Sequence, residues 1–236
     1  MNTWNAPQRP REYAEAALVE AILDGSFPPG SALPGERALA EQLGVTRPTL
    51  REAMQRLARD GWLTVAHGKP TEVNDFWVAG GLNVLSKLVE HREQLPPDFV
   101  RQLLEVRLHL APAYTRAAVE RAAPPVAELL SAAPIMTVEP GEFARFDWLL
   151  HHRLTVLSGN PIFTLILNGF QGFYEVVATR YFASGETRAL SEAFYRDLRD
   201  VARRADAPAA ESLCRRVMQA SIDAWEAGRG ATETGG

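Results

Sequence analysis

Cysteine is almost absent: Cys214 stands alone in 236 residues. That excludes an internal disulfide and suits a reducing compartment, the cytoplasm. Long apolar runs are absent as well. No stretch approaches the ~20 residues that a membrane-spanning helix needs. The first residues, MNTWNAPQRPREY, lack the apolar centre of a secretion signal. Positive charge is not in excess: 25 Lys and Arg face 29 Asp and Glu, for a net charge of −4. The whole chain therefore carries no nucleic-acid signature, and any affinity for DNA has to be local. From Leu82 onward there is no alternating β pattern, no internal repeat and no low-complexity tract. With 46% hydrophobic and 23% charged residues, the chain is long enough for two modest globular domains.

What is present is organised around LPGERALAEQLGVTRPTLREAMQRLARDGWLTVAHGKPTEVNDF, from Leu33 to Phe76. Leu33 to Leu43 reads as a helix with Ala38, Leu39 and Leu43 on its inner face, ended by Gly44. Thr46 is an N-cap for the next helix, and Pro48 lies in its first turn, where a missing N–H does no harm. Leu50, Ala53, Met54 and Leu57 form one apolar stripe, while Arg47, Arg51 and Gln55 step along another face. After Asp60-Gly61, Trp62 to Val65 and Thr71 to Val73 read as strands around a His67-Gly68-Lys69-Pro70 tip. Helix, turn, helix and hairpin in this order predict a winged helix-turn-helix.

The chemistry of that stretch fits DNA. Arg47 and Arg51 near a helix start can reach guanine O6 and N7 or grip phosphate with a forked guanidinium. The helix N-terminus adds free N–H groups and the positive end of its dipole. Thr46 and Thr49 are short hydroxyl donors for phosphate, and His67 and Lys69 on the Gly68 tip suit a minor groove. Arg47, Arg51, Arg56, Arg59 and Lys69 outnumber Glu52 and Asp60 here. This local excess favours a dimer on a two-fold operator.

The rest of the chain predicts helices. Residues 1–8 are expected to fray, and Arg9 to Asp24 form an amphipathic helix. The winged module covers residues 1–75, and a linker with Phe76-Trp77 and Gly80-Gly81 covers 76–81. An all-α bundle covers 82–228, and 229–236 form a disordered tail. Within the bundle, Phe99 to Glu120 is read as one helix kinked at Pro112, with a short helix around Val126 to Ala132. Gly141 to Leu157 follows, then one buried central helix from Ile162 to Phe182, Thr187 to Arg204, and a last helix ending near Ala227. The fold class is mainly α. Aromatics such as Phe146, Trp148, Phe163, Phe170, Phe173, Tyr174 and Tyr181 gather in this half. Gly169 and Gly172 leave room beside the central helix for a channel.

No catalytic constellation is found. His151-His152 has Val156 where a His-His-x-x-x-Asp motif needs its carboxylate, and Cys214 has no base partner. The chain is not expected to be an enzyme.

These residues also carry a resemblance. FPPGSALPGERALAEQLGVTRPTLREAMQRLARDGWLTVAHGKPTEVNDFW (Phe27 to Trp77), SGNPIFTLILNGFQGFY (Ser158 to Tyr174) and RYFASGETRAL (Arg180 to Leu190) resemble the GntR superfamily of bacterial regulators, and within it the FadR branch. The resemblance implies a homodimeric, cytoplasmic transcription factor of fatty-acid metabolism. It implies DNA contacts from Arg37, Thr46, Arg47, Thr49, Arg51, His67, Gly68 and Lys69 to a palindromic operator. It implies a long-chain acyl-CoA effector, contacted by Tyr181, Tyr195, Ser221 and Trp225, and no cofactor. It further implies repression of degradation genes, with activation of unsaturated fatty-acid synthesis.

Four positions depart from the pattern. Met218-Gln219-Ala220-Ser221 replaces Gly-x-Glu-Ser, Gly230 stands where the branch has Lys, and Pro48 stands where it has Thr. A relative of the same build sensing another metabolite, such as a carboxylate, is the alternative. A wider branch of the superfamily holds a metal with one Asp and three His. Here Asp147 and His151 are present, but Tyr195 and Val217 occupy the other positions, so no metal is expected.

Overall fold

The computed structural model describes residues 10–90, 96–135 and 138–233; the fraying expected for residues 1–8 lies outside them. Contacts divide the chain into two compact units, Met1–Leu95 and Pro96–Gly236.

The first unit holds helices α1 (Pro10–Leu23), α2 (Glu36–Leu43) and α3 (Arg47–Asp60) and strands β1 (Leu63–Thr64) and β2 (Glu72–Val73), followed by α4 (Phe76–Ala79) and α5 (Asn83–Glu90). Leu18, Val19 and Ile22 of α1 and Leu50, Ala53, Met54 and Leu57 of α3 are buried. Each helix has a local reason to stop. Gly44 and Gly61 adopt φ of 65° and 92° and return their N–H groups to the last turn, a conformation that any side chain would strain. On α2, Leu39 is buried and Leu43 half-buried, as expected, while Ala40 is buried in place of Ala38, which is exposed.

The strands are antiparallel, pairing Leu63 with Val73 and Thr64 with Glu72, and Ala32 adds a bridge to Glu72. The segment after the wing is no loose tether. Trp62 is fully buried with its ring centre 4.6 Å from that of Phe76. Asn74 Nδ2 donates to the Gly61 carbonyl at 3.0 Å, and Asn83 Nδ2 to Asp60 Oδ1 at 3.2 Å. The contact boundary at residues 95 and 96 therefore falls later than the expected one at 81 and 82.

A Cβ at Gly61 would meet the Ala79 carbonyl oxygen at 2.5 Å. Gly61→Ala adds left-handed strain to that overlap. It is expected to lower unfolding free energy by about 3 kcal/mol, the upper end for backbone strain. Urea denaturation checks this, and a loss below about 1 kcal/mol would mean that α4 simply moves away.

The second unit is helical throughout its described residues: α6 (Phe99–Leu130), α7 (Pro140–Leu157), α8 (Pro161–Asn168), α9 (Gln171–Tyr181), α10 (Gly185–Arg203) and α11 (Ala207–Glu233). Its core gathers Phe143, Leu150, Leu154, Phe182, Phe194, Leu198 and Met218. Three expectations need correction. The kink in α6 lies at Ala122 (φ −148°, ψ 45°), in the expected gap between Glu120 and Val126, and no non-helical residue occurs at Pro112. Pro124 and Pro125 withhold two successive backbone N–H groups, whereas Pro112 withholds one inside a well-packed stretch.

The expected central helix from Ile162 to Phe182 is two helices, broken at Gly169-Phe170. Its first half is not buried: Ile162 and Leu165 are 56% and 64% exposed. Consecutive low-propensity positions, Asn168 and Gly169, outweigh the apolar pattern there. Finally, α11 continues to Glu233, through residues where a disordered tail was expected from 229, and residues 234–236 lie outside the described ones. No described helix is long and apolar enough to cross a membrane.

Candidate functional site

Two constellations stand out, one in each unit. In the first, α3 presents its N-terminal turn to solvent. Thr46 Oγ1 accepts the Thr49 N–H at 3.3 Å, and the two hydroxyls lie 2.8 Å apart. Arg47 and Arg51, each 57% exposed at the side chain, share a single carboxylate. Glu36 Oε2 accepts from Arg51 Nε at 2.7 Å and lies 3.7 Å from Arg47 Nη2. Two cations against one anion leave the surface positive. Exposed pairs of this kind contribute little, so the guanidinium groups are free to exchange Glu36 for another acceptor.

Arg37 is exposed on α2 beside Glu36. At the wing, the Lys69 N–H closes a turn on the Ala66 carbonyl at 3.3 Å, Gly68 takes φ 71°, and His67, Gly68 and Lys69 are all exposed. Every DNA-contact residue expected from the sequence thus lies on exposed or half-exposed surface. Glu36, which organises two of them, was missed.

The second constellation is an apolar cavity of about 90 Å³ between α6, α7, α8 and α9, lined by residues including Leu103, Leu104, Leu110, Phe163, Leu167 and Val177. One wall is polar. Arg107 Nη2 donates to Asp147 Oδ2 at 2.7 Å and to His151 Nε2 at 2.6 Å. Asp147 also accepts from the Tyr174 hydroxyl, and its Oδ1 from the Tyr195 hydroxyl at 2.9 Å. Because His151 Nε2 accepts from Arg107, its proton sits on Nδ1 and is donated to the Tyr114 oxygen at 2.7 Å.

The electrostatics follow from burial and pairing. Burial alone would raise the Asp147 carboxyl. Arg107, His151 and the two tyrosine hydroxyls outweigh it and hold its pKa below the ordinary value. Burial, aided by Arg107, drives the His151 pKa down to about 3, so the ring is neutral. Burial opposes charge on Arg107, but Asp147 more than restores it and the guanidinium stays protonated. Burial also pushes the Tyr114, Tyr174 and Tyr195 phenols well above their usual range. The Cys214 thiol, pushed up to about 11 by burial, is inert at neutral pH.

Of the four expected ligand contacts, the structure brings Tyr181 and Ser221 together, hydroxyl to hydroxyl at 3.1 Å. Trp225, one turn beyond Ser221 on α11, is half-buried under the Arg180 guanidinium, 5.8 Å from the ring centre. Tyr195 belongs elsewhere: it is fully buried with its hydroxyl on Asp147. Arg107, Tyr114 and the pairing of Asp147 with Arg107 and two tyrosines were missed. The available signal was Arg107 itself, a lone cation among the apolar residues Leu103, Leu104 and Leu110, which demands a buried partner. Among the described residues, no group of three or more His, Cys, Asp or Glu side chains could hold a metal.

Comparison with known proteins places both units. Residues 10–73 match the bacterial regulatory proteins of the gntR family, and residues 74–233 match the FadR C-terminal domain. The fatty acid metabolism regulator protein of Shewanella denitrificans is 46% identical over 193 residues, covering 82% of this chain and 81% of that one. Its counterpart in Shewanella pealeana is 47% identical over 193 residues, with the same coverage. Among solved structures, Lar, which controls expression of the Listeria monocytogenes agr system, shares the fold. Its TM-score is 0.58 at 17% identity, over 94% of this chain and 98% of that one. A gntR winged helix joined to a FadR C-terminal bundle, in a chain this similar to curated regulators, settles the assignment: the protein belongs to the FadR branch of the GntR family and is a transcriptional regulator of fatty-acid metabolism.

Proposed function

We propose that the protein acts as a homodimer on a palindromic operator and leaves it when a long-chain acyl-CoA enters the sensor bundle. The carrying observation is the cavity between α6, α7, α8 and α9, apolar on most walls and flanked by Tyr181, whose hydroxyl meets Ser221. At about 90 Å³ it is smaller than the roughly 300–1,000 Å³ of typical ligand sites. A long chain therefore has to part the helices that line it. The half-exposed α8 is the element with least to lose, since none of its residues is buried. A ligand that favours the parted state over the operator-binding state lowers DNA affinity by the ratio of its two affinities, roughly 5–150-fold for ordinary couplings.

Arg37, Thr46, Arg47, Thr49 and Arg51 would meet the major groove and its phosphates, with His67, Gly68 and Lys69 at the minor groove. Around the thioester, Ser221, Tyr181 and Trp225 supply the polar contacts. Ala220 and Gly230 withhold a carboxylate and a cation there, and Arg180 over Trp225 is a cation on that side. Tyr195 acts behind the wall, through Asp147. On genes, the reading is repression of fatty-acid degradation, with activation of unsaturated fatty-acid synthesis. A free carboxylate effector is disfavoured: Arg107, the cation on the cavity wall, is already paired with Asp147.

Fluorescence anisotropy of an operator duplex, with and without oleoyl-CoA, tests the reading. Release by oleoyl-CoA but not by oleate or CoA is expected; binding indifferent to the thioester would move the sensor to another ligand. In the same assay, Arg51→Ala should weaken operator binding by about 1–3 kcal/mol if its fork reads a guanine. Affinity unchanged at matched salt would remove Arg51 from the interface.

A further inference from the structure

We propose that Glu36 is a positioning residue that sets the DNA specificity of α3: it readies Arg51 for a guanine edge and penalises a phosphate in its place. This rests on the reading above that Arg47 and Arg51 meet the major groove and its phosphates. Glu36 is the first residue of α2, and its side chain, 33% exposed, reaches across to the first turns of α3. Its Oε2 accepts from Arg51 Nε at 2.7 Å. The Arg51 side chain is 57% exposed, and among the described residues neither of its terminal nitrogens has an acceptor.

An arginine can offer a forked pair of donors in two ways. Side-on it uses Nε and one Nη; end-on it uses both Nη groups. With Nε held by Glu36, the end-on fork is the one left intact. Guanine O6 and N7 accept such a pair, the commonest specific contact in the major groove. A guanidinium already held in place loses less freedom when the fork closes on the base.

The same carboxylate oxygen lies 3.7 Å from Arg47 Nη2, so one anion stands between two cations at the start of α3. A phosphate can displace Glu36 from either arginine, because exposed pairs are weak. It then meets the released carboxylate at close range, and like charges brought together at an interface are costly. A guanine edge is uncharged and meets no such repulsion. Specificity is a difference of affinities, and Glu36 acts on both members of it.

Selection of the full chain against a duplex pool with a randomised core supplies a bound sequence. Anisotropy at matched salt then compares that duplex with a scrambled one and with single guanine replacements. The guanine read by Arg51 is the one whose replacement no longer matters in Arg51→Ala. In the wild type, replacing it should weaken binding roughly 5–150-fold. Glu36→Ala should cut that penalty to about one third or less and raise affinity for the scrambled duplex roughly three- to tenfold. Glu36→Gln keeps an acceptor for Nε without the charge, so affinity for the scrambled duplex should rise as far while the guanine penalty falls less. A guanine penalty unchanged in Glu36→Ala overturns the proposal. So does equal weakening on both duplexes, which a merely structural role would give. If every guanine penalty survives in Arg51→Ala, Arg51 is not at a base, and the contact reading falls together with the proposal.

Discussion

Asp147→Ala is expected to destabilise the helical bundle by about 3–5 kcal/mol, the range for breaking a buried ion pair from one side. Asp147 is 2% exposed and accepts from Arg107, Tyr174 and Tyr195. Truncation leaves the Arg107 guanidinium, only 19% exposed at the side chain, without its counter-charge and both phenols without their acceptor. The pair itself need not add much net stability, because desolvating two charges offsets most of their attraction. The penalty arises from what is orphaned. Chemical denaturation of wild type and variant measures it. Asp147→Asn, which keeps an acceptor but loses the charge, should fall between them. A loss below about 1 kcal/mol for Asp147→Ala would mean that water reaches the cluster and replaces the carboxylate.

Acid should weaken the same bundle well before ordinary carboxylates titrate. The folded pKa of His151 is about 3, against an ordinary value of 6.5. Between those values the unfolded chain binds a proton that the folded chain refuses, so unfolding free energy rises with pH across that window. The slope approaches about 1.4 kcal/mol per pH unit inside the window, which amounts to about 2 kcal/mol lost between pH 6.5 and 4.5. Asp147 acts in the same sense lower down: its pKa is depressed on folding, so its contribution is present above the ordinary carboxylate range and is lost as pH falls through it. Unfolding free energies at pH 7.5, 6.0 and 5.0 for wild type and His151→Phe test the assignment. The wild type should fall more steeply, and parallel slopes would show that His151 is not the group responsible.

The two units were legible to different degrees. The winged helix is built from short-range signals: Thr46 caps α3 three residues ahead of its bond, and Gly44 and Gly61 turn the chain where a left-handed residue is required. Its exposed arginines follow from the helical period once the buried stripe of Leu50, Ala53, Met54 and Leu57 is known. The bundle carries equally clear apolar periodicity, yet a kink was expected at Pro112 that is absent, and the break at Gly169-Phe170 was missed. Pro112 is tolerated where the helix is packed, while Ala122 yields ahead of a proline pair. Ile162 to Phe182 is apolar on several faces, a pattern shared by a buried helix and by a pair of half-exposed ones.

The polar wall of the cavity was the least legible part. Asp147 and His151, four residues apart on one helix, invited a metal reading, which Tyr195 and Val217 disfavoured without revealing what the pair does bind. The decisive partner, Arg107, lies 40 residues from Asp147 in sequence, and Tyr195 lies 48 away. Once a guanidinium occupies the acceptors of both side chains, the ligand set for a cation is gone. No spacing rule reports that. Tyr195, expected beside Ser221, is turned to Asp147 by the packing of α7 against the bundle core.

By itself, the sequence determined the kind of the elements, the winged module with its exposed arginines and the family, because caps, glycine turns and helical stripes act over a few residues and need no distant partner. Only the tertiary structure decided where the helices break, how Glu36 gathers Arg47 and Arg51, and that Arg107, Asp147, His151 and three tyrosines share one buried wall. Those outcomes depend on which desolvated donors find which acceptors, and that is fixed only when the helices meet.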